Sequence, residues 1–270
     1  MSTVLTAEST SAPPLPGGRI VIDEVDHDFA ADAGIVPALR GVSLDIAPSE
    51  FVSLVGTSGC GKSTLLNIVA GLLTPTHGSV TIGRAVKEAD GLPQRAYITQ
   101  DDRLLPWRTA KQNVELPLQL HGVDREERAE RAIAILRRVG LGDFADRRPH
   151  ELSGGMRQRV SIAQSLVYHP AVLLMDEPFG ALDAWTRDSL HDLLLDVQAE
   201  LGTTVVLVTH DVGEALALSD RVVTLAPRPG RILAEYSLAD RPRPRSHQTL
   251  RDEFFADVHQ RIRADLGFTD

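Results

Sequence analysis

The stretch Gly56-Thr57-Ser58-Gly59-Cys60-Gly61-Lys62-Ser63-Thr64 decides how this chain is read. It fits G-x-x-x-x-G-K-[ST], the P-loop pattern. Phe51-Val52-Ser53-Leu54-Val55 before it reads as a short buried strand, and Leu65 to Leu72 after it as an apolar helix. That strand–loop–helix context separates a phosphate cradle from a Gly-rich turn that matches by chance. Glycines let backbone N–H groups face a polyphosphate without a Cβ in the way. The helix that follows adds its positive N-terminal end. Lys62 then reaches the β- and γ-phosphates, and the Ser63 hydroxyl is placed to bind Mg2+.

The 270 residues around this stretch are enough for one large α/β domain or two small ones. A hydrophobic fraction of 43% with 24% charged residues is that of an ordinary globular core. The net charge of −9 argues against a general nucleic-acid binder, which needs clustered positive charge. A single Cys excludes an internal disulfide and any Cys-based zinc site, and fits a reducing compartment. The apolar runs fall well short of the roughly 18 residues of a membrane span, and the N-terminus lacks the basic and apolar regions of a signal peptide. A cytosolic protein is expected, able to sit on a membrane through a partner.

Residues 1–18 carry Ser, Thr, Ala, Pro and Gly without apolar periodicity and read as a flexible tail. Arg19 to Val25 and Val42 to Ile46 read as strands, with Ala30 to Pro37 as a loop between them. Pro75-Thr76-His77-Gly78 reads as a turn, followed by strands at Ser79 to Ile82 and Arg95 to Thr99. Asp124-Arg125-Glu126-Glu127 resembles a capping box. Ala132, Ile135, Leu136 and Val139 then form a helical core stripe closed by Gly140 and Gly142. Ala171 to Met175 and Thr203 to Val208 are continuous apolar runs of the kind buried in parallel sheets. Leu190, Leu193, Leu194, Val197 and Leu201 mark the helix between them, which Gly202 stops. Alternating strands and helices imply a parallel sheet covered on both faces. Residues 101–165 interrupt that alternation and read as an inserted helical subdomain. Pro227 to Gly230 reads as a turn between two late strands, Arg241-Pro242-Arg243-Pro244-Arg245 as a stiff solvated linker, and 247–266 as an amphipathic terminal helix.

Two further stretches carry chemistry. Val172-Leu173-Leu174-Met175-Asp176-Glu177 is an apolar strand ending in two carboxylates. Asp176 is placed to hold Mg2+, directly or through water, and Glu177 to polarise an attacking water. Leu152-Ser153-Gly154-Gly155-Met156-Arg157-Gln158-Arg159 opens a helix, and a serine with two glycines there makes a second anion-binding surface.

Together these stretches resemble the ATP-binding-cassette (ABC) transporter ATPase subunits, over about residues 19 to 235. The resemblance implies a P-loop NTPase fold: an α/β parallel-sheet core, an antiparallel β subdomain, and a helical subdomain at about 101–165. Residues 236–270 would then be a linker and C-terminal helix. In that family the LSGG element is the signature motif, and Ser153, Gly154 and Gly155 would cap the ATP held by the P-loop of the other subunit. Gln100 matches the Q-loop glutamine, which meets Mg2+ and the γ-phosphate side. Gly180-Ala181-Leu182-Asp183 matches the D-loop, and His210 the switch histidine that hydrogen-bonds the γ-phosphate. The other eight His show no metal-ligand spacing and are assigned nothing. Phe29 is the candidate for the aromatic that stacks on adenine; the alternative is that it is plain core.

Leu104-Leu105-Pro106-Trp107-Arg108-Thr109 with Asn113-Val114, and Pro178-Phe179-Gly180-Ala181-Leu182-Asp183-Ala184-Trp185-Thr186-Arg187, resemble the nitrate/sulfonate/taurine importer branch. Met156 stands where the signature glutamine is usual, removing a polar side chain near the ribose. Ser49-Glu50 stands where Gly-Glu is usual. Cys60 is a small loop residue, since no base is in sight to activate it.

The resemblance implies the ATPase subunit of a bacterial importer, acting as a head-to-tail homodimer with ATP and Mg2+. Each site would pair the P-loop residues Gly56 to Thr64, Gln100, Asp176, Glu177 and His210 of one copy with Ser153 to Gly155 of the other. It would work with transmembrane permease subunits docked near Gln100 to Trp107 and, indirectly, with a substrate-binding protein. Its place would be the cytoplasmic face of the membrane, its cargo a small anion, with no nucleic acid among its partners. A soluble ABC protein acting on DNA or ribosomes is the alternative; it would carry long coiled-coil insertions or two fused cassettes, and this chain has neither. A silent regulatory subunit would be expected to lack Glu177 or His210, and both are present.

Overall fold

The computed structural model describes residues 17–31, 34–83, 92–180, 182–246 and 248–268. The chain opens on an antiparallel pair, β1 (Ile20–Ala31) and β2 (Gly34–Ile46). Strand β3 (Phe51–Gly56) then runs through the P-loop into helix α1 (Lys62–Ala70), and β4 (His77–Ile82) returns to the other edge of β1. After β5 (Arg95–Ile98) come three helices, α2 (Ala110–Leu120), α3 (Arg125–Arg138) and α4 (Gly154–Leu166). The remainder alternates: β6 (Val172–Asp176), α5 (Ala184–Leu201), β7 (Thr204–Thr209), α6 (Val212–Leu218) and β8 (Arg221–Leu225). A last strand β9 (Ile232–Ser237) and the helix α7 (Glu253–Asp265) close the chain.

Two sheets result, a three-stranded one in the order β2-β1-β4 and a six-stranded one in the order β5-β6-β7-β3-β8-β9. All pairings in the larger sheet are parallel except β8 with β9. Every residue of β3 and β7 is buried, as expected of strands covered on both faces. Helix α1 lies between the sheets, with Leu65 and Leu66 packed against Ile20, Ile22 and Leu44 from one and Leu54, Val206 and Val208 from the other. The opposite face of the larger sheet carries the helical layer, where Val114, Leu118, Leu136, Val160 and Leu194 meet Phe51, Leu173 and Leu207. A third cluster joins α6 to α7 through Leu216, Phe255, Val258 and Ile262.

Several local expectations are corrected. Ala30 to Pro37 is not a loop: β1 and β2 continue as a hairpin, with Phe29 opposite Val36 and Ala30 opposite Ile35. This end of the hairpin projects past the core, with Ile35 75% exposed, so its strand character leaves no inward apolar pattern. The turn expected at 75–78 is partly strand, because Gly78 at φ 80° packs against the bulge at Glu24 (φ 47°); a Cβ there would stand 2.3 Å from the Glu24 carbonyl oxygen. Asp124 does cap α3, accepting from Glu126 N–H at 2.8 Å, whereas the reciprocal capping box forms on α2 between Thr109 and Gln112. The tail at 1–16 lies outside the described residues. Gly17 and Gly18 are already buried, the latter donating to the Ala171 carbonyl at 3.1 Å.

The stretch 241–245 is also no solvated linker. Arg245 is 5% exposed and donates to the carbonyls of Leu216, Ser219, Leu238 and Arg241 at 2.7–2.9 Å. Arg243 donates to the Leu218 carbonyl at 2.8 Å and pairs with Asp220 at 3.2 Å. The two guanidiniums satisfy carbonyls that α6 leaves open at its end. Burial, with Arg243 beside it, holds the Arg245 pKa down at about 10.

Candidate nucleotide site

Gly61, at φ 100°, turns the chain from the P-loop into α1, and a Cβ there would lie 2.7 Å from Leu39 Cδ2. No side chain caps α1, so its first N–H groups are left for an anion. The Lys62 ammonium is folded back onto the loop, donating to the carbonyls of Gly56 at 2.8 Å and Thr57 at 3.2 Å, with the Cys60 thiol at 3.9 Å. Lys62 is only 5% exposed, and its partners are neutral. Its charge is felt by Asp176 but forms no ion pair with it, and a buried cation held only by neutral partners is a strong point of attraction for an anion.

Ser63 Oγ donates to Asp176 Oδ1 at 3.0 Å, which brings the end of β6 onto the start of α1. A hydroxyl beside a carboxylate is the hard-oxygen pair that suits Mg2+. Burial raises the Asp176 pKa, the Ser63 hydrogen bond opposes the shift, and neighbouring Glu177 adds to it. Tyr97, which sequence reading passed over, reaches Asp176 Oδ2 at 3.4 Å; its own pKa is raised by burial and then by that carboxylate.

The sign follows for stability. A carboxyl whose pKa is higher in the folded chain stabilises it below the ordinary Asp value, and that contribution is lost as pH rises through the folded pKa. At pH 7 an ionised Asp176 carboxylate therefore works against the fold. Asp176→Asn should melt at a higher temperature than the parent at pH 7, with the gap narrowing toward pH 4. Melting curves at the two pH values check this, and a lower melting temperature at pH 7 contradicts it.

Glu177 adopts φ 48°, a left-handed conformation costly for a residue with a side chain. Its N–H donates to the Val208 carbonyl at 2.9 Å, and its Oε2 lies 3.2 Å from His210 Nδ1. His210 itself is exposed between β7 and α6. Beside these groups opens a cleft of about 300 Å³, bringing together Phe29, Ser58, Gly59, Gly61, Lys62, Ser63, Thr64 and Glu177. Phe29 is 41% exposed there, with an edge-on contact to His27 at 4.7 Å, so it is not plain core.

Other expected residues stand apart from the cleft lining. Gln100 is exposed after β5, with its side-chain amide 3.9 Å from the place a Gly180 Cβ would take. Ser153 caps α4 by accepting from Met156 N–H at 3.3 Å. Neither it, Gly154 nor Gly155 lines the cleft. A Cβ on Gly155 would meet Thr186 Cγ2 at 2.3 Å, so the start of α5 fixes a glycine here. Asp183 caps α5 by accepting from Thr186 N–H at 3.0 Å, and Ala181 lies outside the described residues. Val36, Pro37, Ala38 and Arg228 line the cleft without having been singled out in the sequence. Only the hairpin and the β8–β9 turn place them there.

A parallel sheet with a P-loop between its central strand and α1, beside a carboxylate pair at the end of β6 in the same sheet, defines a P-loop nucleoside triphosphatase. Comparison with known proteins narrows the class. Residues 39–180 match the ABC transporter family. The taurine import ATP-binding protein TauB of Mesorhizobium japonicum is 48% identical over 218 residues, 81% of this chain and 84% of that protein. The nitrate import ATP-binding protein NrtC of Synechococcus elongatus is 45% identical over 258 residues, 91% of this chain but only 39% of that longer protein. Among solved structures, the dimeric post-hydrolysis state of the ATP-binding cassette MJ0796 with ADP and Pi superposes with a TM-score of 0.70 at 36% identity, covering 81% of this chain and 98% of that one. This chain belongs to the ABC transporter family. It is an ATPase that uses ATP with Mg2+.

Proposed function

We propose that the chain is the energising subunit of a bacterial importer for a small anion of the nitrate, alkanesulfonate or taurine type. The observation that carries this is its likeness to the taurine import protein over most of both chains. The site supports a head-to-tail pair of copies: P-loop residues and Glu177 line one cleft, Asp176 and His210 join it through Ser63 and Glu177, and the helix N-terminus at Ser153–Gly155 does not line it. In the closed pair, Lys62 holds the β- and γ-phosphates, Glu177 takes the proton of the attacking water, and His210 orients Glu177. Gln100 approaches from the Gly180 side. Ser63 and Asp176 would hold Mg2+, which supplies charge neutralisation on the phosphates. Residues 19–235 would form the ATPase unit, with 236–270 as an appendage whose helix α7 packs on α6. No described helix is long and apolar enough to cross a membrane, so attachment at the cytoplasmic face would come through permease subunits.

Deleting the gene should abolish uptake of one of these anions, measured with labelled substrates, and the protein should co-purify with a membrane permease. Unchanged uptake of all three would overturn the importer reading. Co-purification with ribosomes or DNA instead would favour a soluble role.

Trp107 marks where the permease would dock. The fully buried Asn113 ties its loop down, its Oδ1 accepting from Leu105 N–H at 2.8 Å and its Nδ2 donating to the Leu105, Arg108 and Thr109 carbonyls at 3.0–3.3 Å. Leu104 points inward, and Trp107 is left 69% exposed, so it does not pack the helical layer. An indole held out on a fixed loop is a frequent interface anchor. Trp107→Ala should leave folding and ATP turnover unchanged but weaken permease binding by about 2 kcal/mol or more. A pull-down beside a thermal melt tests this; a large fall in melting temperature with intact binding would count against it.

A further inference from the structure

The turn between β8 and β9, Ala226-Pro227-Arg228-Pro229-Gly230, forms one wall of the nucleotide cleft through Arg228. Its backbone is fastened beside the P-loop. Gly230 N–H donates to the Ala38 carbonyl at 2.8 Å, Arg40 N–H donates to the Gly230 carbonyl at 2.9 Å, and Leu39 and Gly230 form an isolated parallel bridge. A Cβ on Gly230 would stand 2.1 Å from the Cys60 carbonyl oxygen, so turn and P-loop touch backbone to backbone. From this fixed support Arg228 Nε donates to the Gly59 carbonyl at 3.1 Å, and Nη2 lies 3.0 Å from the place a Gly59 Cβ would take.

That carbonyl is neutral, and no carboxylate among the described residues pairs with the guanidinium. One acceptor occupies one of its five N–H donors. In a chain of net charge −9, a guanidinium close to Lys62 with no carboxylate partner among the described residues concentrates positive potential where a polyphosphate would lie. A guanidinium also has the fork geometry that matches phosphate oxygens.

We propose that Arg228 is a nucleotide-contacting residue, binding the polyphosphate of ATP and ADP from the Gly59 side of the P-loop. This rests on the nucleotide reading of the cleft. Its test is a titration of ATP and of ADP onto the purified chain at low and high ionic strength, for the parent, Arg228→Ala, Arg228→Lys and Lys62→Ala. Arg228→Ala should bind both nucleotides about tenfold more weakly at low salt, as expected for a lost charge-assisted contact. The difference should shrink as salt rises, and Arg228→Lys should recover part of it. Unchanged affinity in Arg228→Ala would overturn the proposal. So would a loss equal at every salt concentration, which would mark a packing role. If Lys62→Ala alone loses binding, only Arg228 is misassigned; if Lys62→Ala also binds normally, the nucleotide reading itself fails.

Discussion

Lys62→Ala should lose ATP binding. The Lys62 ammonium is buried and, among the described residues, held by two loop carbonyls and a thiol. Those neutral contacts keep the cation in place, and Asp176, which interacts with it without forming an ion pair, leaves room for further compensation. Two phosphates of ATP would supply that compensation, and each charge-assisted contact is worth about 1.5–3 kcal/mol. Losing two would weaken binding by roughly 10²- to 10⁴-fold. The substitution also takes the Lys62 donor from the Gly56 and Thr57 carbonyls, the second of which keeps Cys60 N–H at 3.3 Å, so the P-loop is free to shift. Lys62→Arg controls for this: it keeps the charge, but its wider planar fork does not fit a site closed around a single Nζ. Both variants should fail in a fluorescent-nucleotide titration while keeping a cooperative melt. Parent-like affinity in Lys62→Ala would remove the P-loop from the nucleotide site.

What the sequence disclosed followed the range of the interactions involved. The P-loop and the Asp176-Glu177 strand end are contiguous, so their context could be read from neighbours. The buried runs at β6 and β7 are apolar on both faces and need no partner to be recognised. Arg228 and Arg245 show the opposite limit. Each looks like a solvated residue in a Pro-rich turn, and each is claimed by a carbonyl far along the chain, Gly59 for Arg228 and Leu216 for Arg245. The hairpin at Phe29 was hidden for another reason, since a strand pair projecting past the core has no inward face to betray it. Ser49 explains its own departure from the family pattern: it stands at φ 63°, where glycine is the easier residue, and its hydroxyl donates to the Gly202 carbonyl at 2.6 Å. Glu177 at φ 48° was invisible in the same way, because no local composition announces a strained carboxylate.

That strained conformation carries the second large effect. Glu177→Gln should bind ATP normally yet hydrolyse it about 10²- to 10⁴-fold more slowly, the range for losing a general base. Glutamine is nearly isosteric, so the backbone lock from Glu177 N–H to the Val208 carbonyl at 2.9 Å should survive. What disappears is the negative oxygen that would accept a proton from water, together with its charge toward His210 Nδ1 at 3.2 Å. A neutral amide at this position can still hold a water but cannot take its proton. ATP should therefore persist between two copies, and the variant should run on size exclusion as a dimer when ATP is present and as a monomer when it is absent. His210→Ala should slow turnover as well, though less, because it would orient the carboxylate without replacing it. Normal turnover in Glu177→Gln would move the general base elsewhere. A variant that turns over slowly but never dimerises would instead separate hydrolysis from the closing of two copies.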